Sequence, residues 1–333
     1  MAIMDITKIQ PSTVSLDPHD KTILLYGVPK SGKSTFASQI EDNLVIAFEP
    51  GMRLISGAKY IEVSSWADFK QVVRQLLTNP EAKEMYRSIT VDTIGRAWDL
   101  AGAYVISQGK TKDGMRAKKL ADIPWGAGYA LRDKEFIDSF SNLQTAGYGL
   151  KYIAHSQEEK VKVDEKEIKT YYTPILPERP EVVNFLNGTI DLTMFIHHVK
   201  DAEGVSHRIL VTREVDTDLI NIQAGGRIPN LPVQIELSYP KFKEELQKAI
   251  EESAKGYTTK HLEVPEVVEK RSFDSAMDEA KELFTKLDNS GKEKLQDIIL
   301  KYMDNNPEKV RLSQFEPNDL ERLELIIAEM RNL

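Results

Sequence analysis

The chain has 333 residues, 41% of them hydrophobic and 29% charged, and its 44 Lys and Arg against 52 Asp and Glu leave a formal net charge of −8. That length implies about two domains with a sizeable core, and a mean hydropathy of −0.38 fits a soluble globular protein with no membrane partner. The absence of cysteine excludes disulfides, thiol nucleophiles and zinc–thiolate sites, and six scattered histidines offer no metal-ligand spacing.

Residues 1–20 read as an N-terminal extension without the charged-then-apolar pattern of a signal peptide, so a cytoplasmic location is expected. Thr22–Tyr26 is a short apolar run ending in a glycine-rich turn, and a helical pattern follows from Lys33 to about Ile40. Further strands are predicted at Leu44–Phe48, Tyr60–Val63, Ser88–Asp92 and Leu150–Ala154. Helices are predicted at Ser65–Leu77, near Ala97–Ser107, and at Tyr129–Thr145. Strands alternating with helices predict an α/β core with a mostly parallel sheet flanked by helices.

Beyond His155 the pattern changes. Val161–Val163 with Ile168–Tyr172, and Leu192–Val199 with His207–Thr212, flank polar turns and read as antiparallel hairpins appended to the sheet. A helix from Pro240 to about Ala254 ends at Lys255 and Gly256, a plausible C-cap. The expected core is therefore 21–256, followed by a polar linker over 257–272 and a small all-α unit over 273–333. Its helices are predicted at Ser275–Leu287, Lys292–Met303 and Asn318–Met330, each with one apolar face.

The sharpest signal is Gly27, Val28, Pro29, Lys30, Ser31, Gly32, Lys33, Ser34 and Thr35, which fits G-x-x-x-x-G-K-[ST] between a predicted strand and a predicted helix. In such a loop backbone N–H groups converge on phosphate oxygens, Lys33 supplies a point charge, and Ser34 ligates Mg²⁺. ATP with Mg²⁺ is the expected ligand. Asp92, ending the apolar run Ser88–Asp92, is the candidate second Mg²⁺ group; otherwise it caps the next helix. Thr93 rather than Glu follows it, so the catalytic base is sought elsewhere. Glu49 ends the second predicted strand, where ligands of open α/β sheets bind, and is the candidate that polarises the attacking water.

The ordered set Gly27–Thr35, Glu49-Pro50-Gly51, Val91-Asp92-Thr93, Trp125–Tyr129, Ile153–Gln157 and Ala224–Arg227 resembles the phage-encoded RecA-like nucleotide-binding proteins, which include the Sak-type single-strand annealing ATPases. The resemblance covers about residues 20–250. It implies a RecA-like P-loop core, DNA-dependent ATP hydrolysis, single-stranded DNA as ligand, a homo-oligomer, and work beside a single-strand DNA-binding protein in an infected bacterial host. It also implies that His155 or Gln157 senses the γ-phosphate, and that Arg227 reaches a neighbouring subunit as an arginine finger.

Two segments have the basic and aromatic composition that single strands require. The first holds Lys110, Lys112, Arg116, Lys118 and Lys119; the second holds Lys160, Lys162, Tyr171 and Tyr172, diluted by acids. A nucleotide-gated adaptor and a P-loop small-molecule kinase are the alternatives, the kinase disfavoured because the first segment is lysine-rich rather than an arginine lid. The overall acidity does not exclude DNA. Residues 261–333 hold 11 Lys and Arg against 17 Asp and Glu, leaving 1–260 almost neutral.

Overall fold

A computed structural model describes residues 14–162, 168–201, 203–253, 259–260, 272–302 and 311–331. The chain divides into two units, one of residues 13–261 and one that holds residues 262–333.

The first unit begins with β1 (Val14–Ser15), β2 (Ile23–Gly27) and α1 (Lys33–Ser38). Next come β3 (Asn43–Ala47), β4 (Tyr60–Glu62), α2 (Trp66–Thr78), α3 (Pro80–Met85), β5 (Ser88–Asp92), α4 (Ile94–Gln108) and α5 (Ala127–Thr145). β6 (Gly149–Lys162), β7 (Ile168–Pro174), α6 (Pro180–Thr189), β8 (Leu192–Lys200) and β9 (Ser206–Val211) follow. The unit ends with β10 (Val215–Asp216), β11 (Ile220–Ile222), β12 (Gly225–Gly226), β13 (Gln234–Glu236), α7 (Tyr239–Ser253) and β14 (Thr259–Lys260).

The main sheet runs β4-β3-β5-β6-β2-β8-β9-β13. From β4 to β8 every neighbouring pair is parallel, while β9 is antiparallel to both β8 and β13. The sequence alternation explains how both faces are covered. On β2, Leu24 and Tyr26 enter one core with Trp66, Phe69, Phe136, Phe140 and Tyr152, whereas Ile23 and Leu25 enter the other with Phe36, Met194, Phe242 and Leu246. Helices α2, α4 and α5 supply the first layer, and α1 and α7 the second. A buried polar link fixes α1 to the sheet: the Asn43 amide donates to Ala37 O at 3.2 Å and to Thr90 Oγ1 at 2.9 Å.

Three expectations change. β8 is not appended but lies inside the sheet beside β2, with Gly27 opposite Ile196. Leu192, Met194, Phe195 and Ile196 are buried, and burial on both faces demands a central strand. Likewise, Val161 belongs to the same strand as Leu150, because β6 runs unbroken through His155 before pairing antiparallel with β7; Val163 and the turn after it lie outside the described residues. Finally, Leu16 and His19 of the expected extension are buried, and β1 pairs in parallel with β14 inside the expected linker. Two-residue pairings between distant segments leave no periodicity in a sequence. The proposed cap at Lys255 and Gly256 falls outside the described residues.

Among the described residues of the second unit, α8 (Phe273–Lys286), α9 (Asn289–Tyr302) and α10 (Leu320–Met330) bury Ala276, Ala280, Leu295, Ile299, Leu323 and Ile327 in one cluster. Ser272 caps α8 by accepting from Ser275 N at 3.2 Å.

Candidate functional site

The phosphate loop joins β2 to α1 at the C-terminal edge of the parallel strands. Its sharp turns need left-handed backbone at Lys30 (φ 64°) and Gly32 (φ 105°), and glycine adopts that region without cost. Lys33 is buried at the start of α1, where its ammonium donates to Gly27 O and Val28 O, both at 2.9 Å. Burial pushes its pKa down, opposed by the charges of Asp92 and Glu49.

Asp92 ends β5, and its Oδ2 accepts from Ser34 Oγ at 2.5 Å. Burial raises its pKa and the Ser34 bond opposes that rise. A hydroxyl and a carboxylate converging this closely form a hard-oxygen pair, the donor chemistry Mg²⁺ takes when phosphates and water complete its shell. Among the described residues no group of three or more His, Cys, Asp or Glu could hold a metal ion alone. Ser34 and Asp92 thus fit an ion that arrives with a nucleotide, whose charge would neutralise phosphate oxygens.

Glu49 follows β3, and the adjacent Phe48 N donates to Asp92 O at 2.7 Å, which locks the two strand ends together. Thr93 Oγ1 donates to Glu49 Oε1 at 2.6 Å, and the same oxygen accepts from Arg96 N at 3.4 Å as the N-cap of α4. His155 stands opposite Gly27 on β6, with Nε2 3.6 Å from Glu49 Oε2 and a buried Nδ1 that has no hydrogen-bond partner among the described residues. The sheet therefore gathers Lys33, Ser34, Glu49, Asp92 and His155 at one edge. Gln157 lies two residues beyond His155 on the same pleated face and is exposed. Thr93 escaped the sequence reading, where it counted only as a missing Glu; its position after a strand-end acid and before a helix was the available signal.

Arg227 does not join this site within the chain. Its guanidinium donates to Asp191 Oδ1 at 3.2 Å and to Gly188 O at 2.6 Å, while Asp191 Oδ2 accepts from Thr22 N. Thr22 precedes β2, so Arg227 sits at the end of the strand opposite the phosphate loop, about 16 Å away at 3.3 Å per residue. Gly226 serves close packing, since a Cβ there would meet Asp191 O at 2.0 Å, whereas Gly225 takes a positive φ of 125°.

The first basic segment is a small hairpin between α4 and α5. Lys110 bridges Arg116, Thr111 N donates to Met115 O at 2.7 Å, and Gly114 takes a positive φ at the turn. Ala117, Leu120 and Ile123 anchor it on Val105. Lys110, Lys112, Arg116, Lys118 and Lys119 are exposed, and no carboxylate lies within ion-pair distance of any of them among the described residues. Trp125, in the same connection, is 79% exposed with φ 59°. Lying outside the lysine run, it is not marked by the local basic composition.

The second segment is split by the pleat. Lys160 and Lys162 share a face with Tyr172, whereas Tyr171 lies on the other face with Lys169 over its ring at 5.6 Å. Tyr172 stacks on Phe195 with centroids 5.2 Å apart, which takes up one face of its ring, and Lys160 pairs with Glu158 at 3.2 Å. The two tyrosines do not form one platform.

A P-loop, a strand-end acid facing its serine, and a second carboxylate beside them define a P-loop NTPase. Residues 19–218 match the AAA domain family, and the chain belongs to it. Membership points to nucleotide binding and ATPase activity. The chain is also similar to the SPbeta prophage-derived uncharacterized protein YorG of Bacillus subtilis (strain 168), at 28% identity over 347 aligned residues covering 100% of this chain and 99% of the relative. A phage origin fits that likeness.

Proposed function

We propose that this chain is a RecA-like ATPase of phage type that hydrolyses Mg²⁺-ATP and acts on single-stranded DNA in strand annealing or exchange. The observation that carries the ATPase reading is the run of contacts from Ser34 to Asp92 and, through adjacent Thr93, to Glu49. It sets an Mg²⁺-binding pair and an oriented carboxylate side by side. Ser34 and Asp92 hold the ion, Lys33 and the loop N–H groups hold the phosphates, and Glu49 orients the attacking water. The sheet supports the RecA-like part of this reading, with β6 between the phosphate-loop strand and the Asp92 strand and an antiparallel β9 on the far side.

The five cations, unpaired among the described residues, together with exposed Trp125 in the same connection, support single-stranded DNA as ligand, since backbone neutralisation and base stacking are what a non-specific single-strand site combines. ATP turnover measured with and without single-stranded DNA tests the whole reading, with Lys33→Ala as control. Stimulated turnover that Lys33→Ala abolishes is expected. Turnover indifferent to DNA overturns the DNA part, and phosphoryl transfer to a small acceptor replaces it with a kinase.

A further inference from the structure

A second cation touches the phosphate loop from the far side of the sheet. Arg208 lies on β9 opposite His198 of β8, two register positions past the Ile196 that faces Gly27. From there its Nη1 donates to Ser31 O at 3.3 Å. The approach depends on the next residue: a Cβ on Gly32 would sit 3.0 Å from Arg208 Nη1 and 3.2 Å from Leu237 Cδ2. Backbone pairing holds the strand in place, with Leu237 N donating to Arg208 O at 3.3 Å.

The partner chemistry separates Arg208 from the other arginines near the core. Arg227 and Arg179 are each bound to a carboxylate, which cancels most of their field. Arg208 is exposed and has only a neutral carbonyl as hydrogen-bond partner among the described residues. Lys33 is held in the same manner, by Gly27 O and Val28 O. Two full positive charges are therefore docked on carbonyls of one loop whose N–H groups serve anions.

We propose that Arg208 is a second cation of the phosphate site, acting within the same chain: it binds the phosphate tail of the nucleotide alongside Lys33. The proposal rests on the reading of Gly27–Thr35 as the ATP site and places on β9 a cation of the same chain, whereas the resemblance implied an arginine, Arg227, reaching in from a neighbouring subunit. A guanidinium is suited to it because it stays charged and presents several donors, of which Ser31 O engages one.

The test is equilibrium binding of a fluorescent ATP analogue with Mg²⁺ to the full chain, wild type against Arg208→Gln and Arg208→Lys, with thermal melting of each. Arg208→Gln is expected to weaken binding by about tenfold or more, the scale of one lost charge-assisted hydrogen bond, while Arg208→Lys loses less, because it keeps the charge but not the planar fork of donors. Melting temperatures are expected to agree within about 2 °C, as for surface substitutions. Unchanged affinity in Arg208→Gln overturns the proposal. Equal loss in both variants also overturns it, since the arginine would then serve only as a tie to Ser31 O. A wild-type chain that binds no nucleotide overturns the reading of the ATP site, and this proposal falls with it.

Discussion

Ser34 and Asp92, 58 positions apart in the chain, meet through a hydroxyl–carboxylate hydrogen bond of 2.5 Å at the edge of the parallel sheet. The bond brings together the two protein oxygens that an Mg²⁺ accompanying ATP would share. Asp92→Asn should keep metal-free nucleotide binding but remove the gain in affinity that Mg²⁺ gives, and it should cut turnover by about a hundredfold or more. Titrating nucleotide with and without Mg²⁺ checks this; an undiminished Mg²⁺ effect would move the metal site away from β5.

Glu49 is expected to act in hydrolysis rather than in binding, because Thr93 orients it at the site edge. Glu49→Gln should leave ATP affinity within about twofold and slow hydrolysis by about 10²–10⁴-fold, the range for a lost general base. Thr93→Ala should give a smaller loss of the same kind. Single-turnover measurements at saturating ATP separate the two effects, and normal rates in Glu49→Gln would place the base elsewhere.

For the hairpin between α4 and α5, neutralising Lys110, Lys112, Lys118 and Lys119 should weaken single-stranded DNA binding and flatten its salt dependence by up to about 3 units of slope, given about 0.7 per phosphate contact. Trp125→Ala should cost about 1–3 kcal/mol with the slope unchanged, since stacking releases no counterions. Binding isotherms over a salt series distinguish the two, and an unaltered slope in the lysine variant would remove this hairpin from the interface.

The buried Lys151 gives a stability prediction. It lies near the start of β6, donates to His19 O at 3.2 Å and to Lys21 O, and its pKa is pushed down by burial from the ordinary lysine value of 10.5 to about 7. Between these values the unfolded chain binds the proton and the folded chain does not, so stability rises with pH across that window and is lost as pH falls from 10.5 toward 7. Wild type should therefore gain about 2 kcal/mol relative to Lys151→Met between pH 7 and pH 9. Urea unfolding followed by tryptophan fluorescence reports on this unit, since Trp66, Trp98 and Trp125 all lie within residues 13–261. Parallel pH profiles for the two proteins would show Lys151 charged in the fold.

The phosphate loop was readable because its chemistry demands glycines at fixed offsets between a strand and a helix, a local constraint. Asp92 and Glu49 were readable for a related reason: both close short apolar runs, and strand ends collect at one edge of a parallel sheet. Strand order was not readable. Nothing in Leu192–Val199 states that its neighbour is β2, some 170 residues earlier, and an apolar run looks the same at the centre of a sheet as in a buried hairpin. Contacts made across strands were lost with it, among them Thr93 to Glu49 and Arg208 to Ser31. The pleat likewise put Tyr171 and Tyr172 on opposite faces, although their adjacency in sequence had suggested one surface.

β6 has a mechanical consequence. Its 14 residues span about 46 Å at 3.3 Å per residue. The inner half is laced between β2 and β5, the outer half to β7, and His155 stands where one gives way to the other. One strand thus belongs to a parallel ladder at its start and to an antiparallel ladder at its end, and neither neighbour can slide along it without breaking a run of backbone hydrogen bonds.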